Sequence, residues 1–411
     1  MLNHELKDAI FSRVIPKVRT PGQYIGGELN AIVQDHSQVK GTVCLAFPDT
    51  YALGMSHHGL QVLYSLMNAN GWACELVFTP LPDFEAALRD AGLPLYGLET
   101  FTPLHQFDVI GFSLQYEISY TNVLTMLDLG GIPLHAEDRG ADDTLVIAGG
   151  PCAQNPELLA PFVDLVVMGD GEPSLPTICE LWREMKGSGL SRDEKLLRLA
   201  TAVNWAYVPR FYEPVYDEEG RLVEIMKKVD EVPGGIRPCV IQDLEGTPLP
   251  TRPIVPFVET SHDRIAIEIM RGCPWQCRFC QSTVIKRPLR YRTVETIVEA
   301  ALESYRNTGY DEISLLSLST SDYPDFERLV TRMSEVFTPL GVKISLPSLR
   351  ITETLKKIPA LLQEGRRSGL TLAPEVARDD MRTQIRKPIN NDDLYEGAAE
   401  AFRRGWRKVK L

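Results

Sequence analysis

Three thiols lie within eight residues in the stretch RGCPWQCRFCQS, where Cys273, Cys277 and Cys280 stand at C-x-x-x-C-x-x-C spacing. Thiolates crowded in this way bind metal or do redox chemistry. A structural zinc site usually takes four ligands, often as two separated C-x-x-C pairs. No second pair exists here, because no cysteine follows Cys280. A [4Fe–4S] cluster is also normally held by four thiolates. Three ligands on one loop would leave one iron without a protein ligand, and an open metal position is where a substrate can bind. Zinc and inert thiols remain the alternatives to a cluster. The other cysteines, Cys44, Cys74, Cys152, Cys179 and Cys239, are scattered and mostly in apolar runs, where a thiol behaves as a small hydrophobe.

The elements that must position these thiols alternate between strand and helix. The apolar run RIAIEIM directly precedes the cysteines, so they sit on the loop at its carboxyl end, where barrels and open α/β sheets carry their chemistry. EISLLSL, VKISLPS, GLTLAPE and KVKL read as further strands. Between them TVETIVEAALESYRNTG, DFERLVTRMSEVF, a segment around LKKIPALLQ and DLYEGAAEAFRR read as helices. This is four βα units and the start of a fifth strand, to be covered on both faces or curled into a partial barrel. Because the chain stops inside an apolar strand at Leu411, the expectation is a piece of a longer protein, slower in catalysis than an extended form.

The first half alternates in the same way. GTVCLAF, WACELVF, DVIGFSL, TLVIAGG and DLVVMGDG read as buried strands, and the helical patterns between them predict a doubly wound parallel sheet. Its carboxyl ends carry Pro48-Asp49-Thr50, Ser113-Leu114-Gln115, Gly149-Gly150-Pro151 and Gly169-Asp170-Gly171-Glu172. These are either ligand-facing turns or turns alone. The division expected is residues 1–40 as an amino-terminal segment, 41–186 as the first α/β domain, 187–259 as a hairpin and Pro-rich connector, and 260–411 as the second α/β domain.

Composition narrows the setting. The chain has 411 residues and a formal net charge of -12, which argues against a wholly basic nucleic-acid surface. Neither a signal peptide nor an apolar run of about 18 residues is present, so the chain reads as a cytoplasmic protein with no membrane partner.

C-x-x-x-C-x-aromatic-C after a first strand resembles the cluster motif of the radical SAM superfamily. The resemblance implies that Cys273, Cys277 and Cys280 bind a [4Fe–4S] cluster, that S-adenosylmethionine chelates the fourth iron, and that Phe279 lies beside the adenine. It further implies that a polar turn after the second strand meets the methionine amino group. The turn here is Ser319-Thr320-Ser321-Asp322-Tyr323, without the glycines relatives carry, and it either does that work or caps the following helix. Glu375 takes the place of a ribose-binding residue, with Ser345 and Arg350 weaker candidates of the same kind. Lys286, Arg287, Arg290 and Arg292 read as a solvated face in preference to a partner for SAM's carboxylate or an anionic substrate.

Residues from about Gly41 to Met185 resemble the cobalamin-binding-type domain that precedes many radical SAM domains. Relatives that ligate cobalt through histidine carry D-x-H-x-x-G. Asp49 is present, but His57 and His58 follow eight and nine residues on and read as helix-start residues. Either corrinoid binds without a protein histidine or the fold persists without cobalamin, and the second is favoured. The resemblance implies an enzyme that cleaves SAM reductively to a 5′-deoxyadenosyl radical, fed by a one-electron reductant such as flavodoxin or ferredoxin, on an unidentified substrate. Methyl or methylthio transfer is the alternative within enzymes, and a non-catalytic iron–sulfur or zinc protein the alternative outside them.

Overall fold

Strand-forming runs in the first half are short and rich in Val, Ile and Leu, the pattern of strands covered on both faces. They become β1 (Thr42–Phe47), β2 (Ala73–Phe78), β3 (Val109–Ser113), β4 (Leu145–Gly149) and β5 (Leu165–Val167), and every residue of β1 and β2 is buried. The structure is a computed structural model describing residues 2–346, 370–387, 389–403 and 407–410. It divides into two compact units, residues 1–241 with 254–262 and residues 242–253 with 263–411.

In the amino-terminal unit the strand order is β2-β1-β3-β4-β5-β6. β1 to β5 are parallel, and β6 (Ala206–Tyr207) joins the edge antiparallel. The helices are α1 (His4–Arg13), α2 (Tyr51–Gly54), α3 (His58–Ala69), α4 (Pro82–Ala91), α5 (Tyr120–Leu129), α6 (Gly171–Glu184) and α7 (Arg192–Ala202). The chain steps from β1 to β2 on one side and returns to β3 on the other. This switch point is where open α/β sheets receive ligands.

The segment read as hairpin and connector holds more than that. Its hairpin is β7 (Tyr212–Tyr216) paired with β8 (Leu222–Lys227). Ahead of it, Ser191 and Glu194 close a capping box that starts α7. Buried Leu196 and Leu199 hold α7 to the first unit, as does Arg192, whose guanidinium reaches buried Asp164 at 2.7 Å. The charged first turn, RDEK, hides this helix from a reading by apolar period.

The carboxyl-terminal unit centres on β9 (Ile265–Glu268), β12 (Glu312–Leu316) and β13 (Lys343–Ser345), parallel in the order β13-β12-β9. β10 (Met270–Arg271) pairs with β11 (Arg290–Tyr291), and β14 (Leu370–Thr371) with β15 (Val409–Lys410). One-turn α8 (Ser282–Ile285) is followed by α9 (Val294–Thr308) and α10 (Phe326–Phe337), and further helices span Asp379–Gln384 and Asn391–Arg403. Ile265, Ile267, Ile313 and Leu315 share a core with Ile297, Leu329, Met333 and Phe337 of α9 and α10. By alternation, the opposite face of the three strands carries Ala266, Glu268, Ser314, Leu316 and Ser345, with Ser314 in register with both Ala266 and Ser345. The helix expected around LKKIPALLQ lies outside the described residues.

Candidate active site

The cysteine loop is entered through a residue that only glycine fills. Gly272 has φ +96°, and a Cβ there would meet the carbonyl oxygen of Lys286 at 2.7 Å. The antiparallel pair β10–β11 then closes the base of the loop, so residues 272–289 leave and return at one point beyond β9. Arg271 braces the entry by donating to both carboxylate oxygens of Glu268, at 2.9 and 2.8 Å. Cys277 is buried, and Cys273 and Cys280 are half-buried. None of the eight cysteines forms a disulfide.

Among the described residues, no three His, Cys, Asp or Glu side chains converge closely enough for one metal ion. Ligands of a single zinc all lie about 2.0–2.3 Å from it, which brings them nearer to one another than ligands of separate irons in a cubane. Three soft thiols on one loop are a donor set that an iron–sulfur cluster could take. The other thiols are poor competitors. Burial pushes Cys44, Cys74, Cys152 and Cys179 upward in pKa, and burial followed by Asp170 and Glu172 takes Cys239 to about 11.

The polar turn after β12 is joined to this loop. Asp322 Oδ2 accepts from the indole N–H of Trp275 at 2.6 Å and from Ser319 Oγ at 2.5 Å. Ser319, Thr320 and Ser321 are buried. The helix-capping alternative does not describe Asp322: α10 starts at Phe326, and its N-cap residue is Asp325, which makes no side-chain cap bond. Trp275 was passed over in the sequence, although it lies between two of the cysteines.

Phe279 is 54% exposed. The ammonium of Lys387 lies 6.0 Å from its ring centroid and 2.7 Å from Glu375 Oε1. Glu375 adopts φ +68°, uncommon for a residue with a side chain. Ser345 is half-buried on the inner strand face. Its register neighbour Ser314 is fully buried, and its Oγ has no hydrogen-bond partner among the described residues. A buried hydroxyl left in this way costs about 1–3 kcal/mol, a signal visible only in three dimensions. Arg350 lies outside the described residues.

The basic run is corrected by the structure. Arg290 and Arg292 are 6% and 3% exposed. Arg290 Nε donates to the Pro288 carbonyl at 3.0 Å, and Arg292 Nη1 to the Thr247 carbonyl at 2.7 Å. They fasten backbone and do not form a solvated face. Only Arg287 of the four is exposed, and its Nε donates to the Thr283 carbonyl.

At the switch point of the amino-terminal unit, Tyr116 beyond β3 donates its hydroxyl to Asp49 Oδ2 beyond β1. Burial, then this carboxylate, pushes the Tyr116 phenol up to about 12. His57 caps α3 by accepting from Leu60 N at 3.2 Å, and His58 opens the helix, as their spacing predicts. The sequence reading overlooked Asp49-Thr50-Tyr51-Ala52-Leu53-Gly54, which keeps the Asp and Gly of D-x-H-x-x-G with tyrosine in the histidine place. Tyr51 is 2% exposed, and its hydroxyl donates to Glu28 Oε1 at 2.9 Å. The residues present do not fit cobalt ligation by histidine at that position. At the end of β5, Cys239 pairs beside Gly169: Asp170 N donates to the Cys239 carbonyl at 2.7 Å, and Cys239 N to the Met168 carbonyl at 2.8 Å.

Both units are α/β, and the three thiols lie just beyond the carboxyl end of a parallel strand. The family profile "Radical SAM proteins, N-terminal" matches residues 59–209, and "Radical SAM superfamily" matches residues 267–411. An uncharacterised protein of Methanocaldococcus jannaschii is 26% identical over 354 residues, covering 86% of this chain and 68% of that protein. The ribosomal protein uS12 methylthiotransferase RimO of Prochlorococcus marinus is 31% identical over 102 residues, covering 23% of this chain and 20% of its own length. Among solved structures, the radical S-adenosylmethionine methyltransferase TsrM of Kitasatospora setae, with cobalamin and a [4Fe–4S] cluster bound, superposes with TM-score 0.56 at 12% identity, over 90% of this chain and 68% of that one. The chain belongs to the radical SAM superfamily and is a radical SAM enzyme with a cobalamin-binding-like amino-terminal region. It spans about two thirds of the archaeal relative and a fifth of the methylthiotransferase.

Proposed function

We propose that Cys273, Cys277 and Cys280 hold three irons of a [4Fe–4S] cluster and that S-adenosylmethionine binds beside them. Three thiols outside any disulfide, at C-x-x-x-C-x-x-C spacing on one glycine-entered loop beyond β9, carry this reading. A cluster held there would supply the electron for reductive cleavage of SAM, the chemistry that would yield a 5′-deoxyadenosyl radical for hydrogen removal from a substrate. The protein's part is to orient and to exclude water. Phe279 offers an exposed ring to the adenine. Asp322, fixed by Trp275 and Ser319, accepts the methionine ammonium, with Ser321 in the same turn. Glu375 takes ribose hydroxyls, with Ser345 and Arg350 as further polar groups. The reductant is a one-electron donor of the flavodoxin or ferredoxin kind, and the setting is the cytoplasm. Among the described residues no helix is long and apolar enough to cross a membrane.

Methyl or methylthio transfer is the second reading, favoured by the likeness to the methylthiotransferase RimO and the methyltransferase TsrM. Under it the amino-terminal unit holds either a corrinoid without a histidine ligand or part of a macromolecular substrate.

Anaerobic reconstitution tests the first reading. About four irons and four sulfides per chain are expected, lost on alanine substitution of Cys273, Cys277 or Cys280 and kept on Cys239→Ala. With a reductant and SAM, 5′-deoxyadenosine should accumulate. One zinc per chain without sulfide, in protein purified without oxygen, would overturn the assignment.

A further inference from the structure

Residues 376–387 are wound around one buried guanidinium. Arg382 is 1% exposed. Its Nε donates to the Val376 carbonyl at 2.7 Å, its Nη1 to Asp379 Oδ1 at 2.7 Å and its Nη2 to the Ala377 carbonyl at 3.3 Å. Lys387 N closes the turn on the Arg382 carbonyl at 2.9 Å. Three contacts run from this bracket to the cysteine loop. The Ile385 carbonyl accepts from Arg278 N at 3.0 Å. Arg386 Nη1 donates to Gln276 Oε1 at 3.4 Å. The Lys387 ammonium faces the Phe279 ring at 6.0 Å, the range of a cation–π contact. All three land on residues 276–279, between or beside Cys277 and Cys280.

From this geometry we infer that Lys387 is a positioning residue for the cysteine loop and that, with Glu375, it sets the reduction potential of the cluster. The inference rests on the cluster reading above. The Lys387 side chain is 12% exposed and that of Glu375 35%, so the ammonium is the less screened of the two charges. A thiolate-bound cluster gains a further negative charge on reduction. A fixed cation nearby favours the reduced form, and a carboxylate beside that cation offsets part of the effect. Removing the cation and removing the carboxylate should therefore move the potential in opposite directions. Simple loosening of the bracket would not do this, because either substitution breaks the same ion pair.

The test is a redox titration, without SAM and followed by the electron paramagnetic resonance of the reduced cluster. It compares reconstituted wild type, Lys387→Met, Lys387→Arg and Glu375→Gln at matched iron content. At a fixed potential, Lys387→Met is expected to raise the oxidised-to-reduced ratio about tenfold, which is ~59 mV for a one-electron couple. Glu375→Gln is expected to lower that ratio, and Lys387→Arg to leave it within about twofold. Shifts of the same sign for Lys387→Met and Glu375→Gln, or wild-type potentials in all variants, overturn the inference while leaving the cluster assignment standing. A wild type that assembles no iron and sulfide would instead remove the reading beneath it.

Discussion

The bond between Trp275 and Asp322 ties the cysteine loop to the turn after β12, and replacing the indole tests whether it does so. Trp275→Phe keeps most of the aromatic area and deletes the N–H that donates to Asp322 Oδ2 at 2.6 Å. A hydrogen bond to a charged group contributes about 1.5–3 kcal/mol net. Asp322 keeps the Ser319 hydroxyl, so the lower end of that range applies. About 1.4 kcal/mol is a factor of ten in an equilibrium, here between closed and open forms of the loop. The loop contains its own reporter, because Cys277 is 9% exposed whereas Cys273 and Cys280 are half-buried. In reduced, metal-free protein, alkylation of Cys277 requires opening, and alkylation of Cys280 serves as the internal standard.

Trp275→Phe is expected to raise the Cys277 rate about tenfold relative to Cys280, followed by mass spectrometry of the peptide that carries both. Asp322→Asn should act in the same direction. The double variant should open the loop no further than the more severe single one, because both substitutions remove one interaction. Single-variant rates equal to wild type, or strictly additive effects, would refute the coupling.

Three other outcomes are expected. Burial, followed by the Glu75 charge, holds the Glu99 carboxyl well above the usual range. The native state thus keeps a proton that the unfolded chain releases near pH 4.3, and stability falls as pH rises above that value. Glu99→Gln should therefore raise the thermal midpoint at pH 8 and leave pH 4 nearly unchanged; equal midpoints at pH 8 would refute this. Gly169→Ala puts a Cβ at 2.1 Å from the Cys239 carbonyl oxygen at φ +104°. It should unpair Cys239 from Met168 and Asp170 at a cost of about 2–4 kcal/mol, read as faster alkylation of Cys239 than in wild type; an equal rate would refute this. His57→Ala removes the α3 cap, for about 1 kcal/mol of stability. On titration with hydroxocobalamin it should leave any corrinoid spectrum unaltered, and a spectral change on that substitution would make His57 a cobalt ligand.

The parts of this protein legible from sequence are those whose physical cause is local. Cys273, Cys277 and Cys280 announce themselves by type and spacing, and β1 to β5 by apolar runs that a strand buried on both faces requires. α7 was missed because its anchoring Arg192 and its acidic first turn look solvated until Asp164 is seen beneath them. Arg290 and Arg292 misled for the same reason, since charge in a sequence says nothing of the carbonyls waiting to accept it. The least legible residues support the cysteine loop without being part of its cysteine pattern. Trp275 meets a partner 47 positions away and Arg386 one 110 positions away, and no periodicity links such pairs. Ligand chemistry demands particular residue types, so it leaves a pattern. The work of holding a loop still can be done by an indole, a guanidinium or an ammonium, provided the fold delivers it, and so it leaves none. The three thiols thus stand out in the sequence as candidate ligands, whereas the contacts of Ile385, Arg386 and Lys387 with residues 276–279 appear only in the structure.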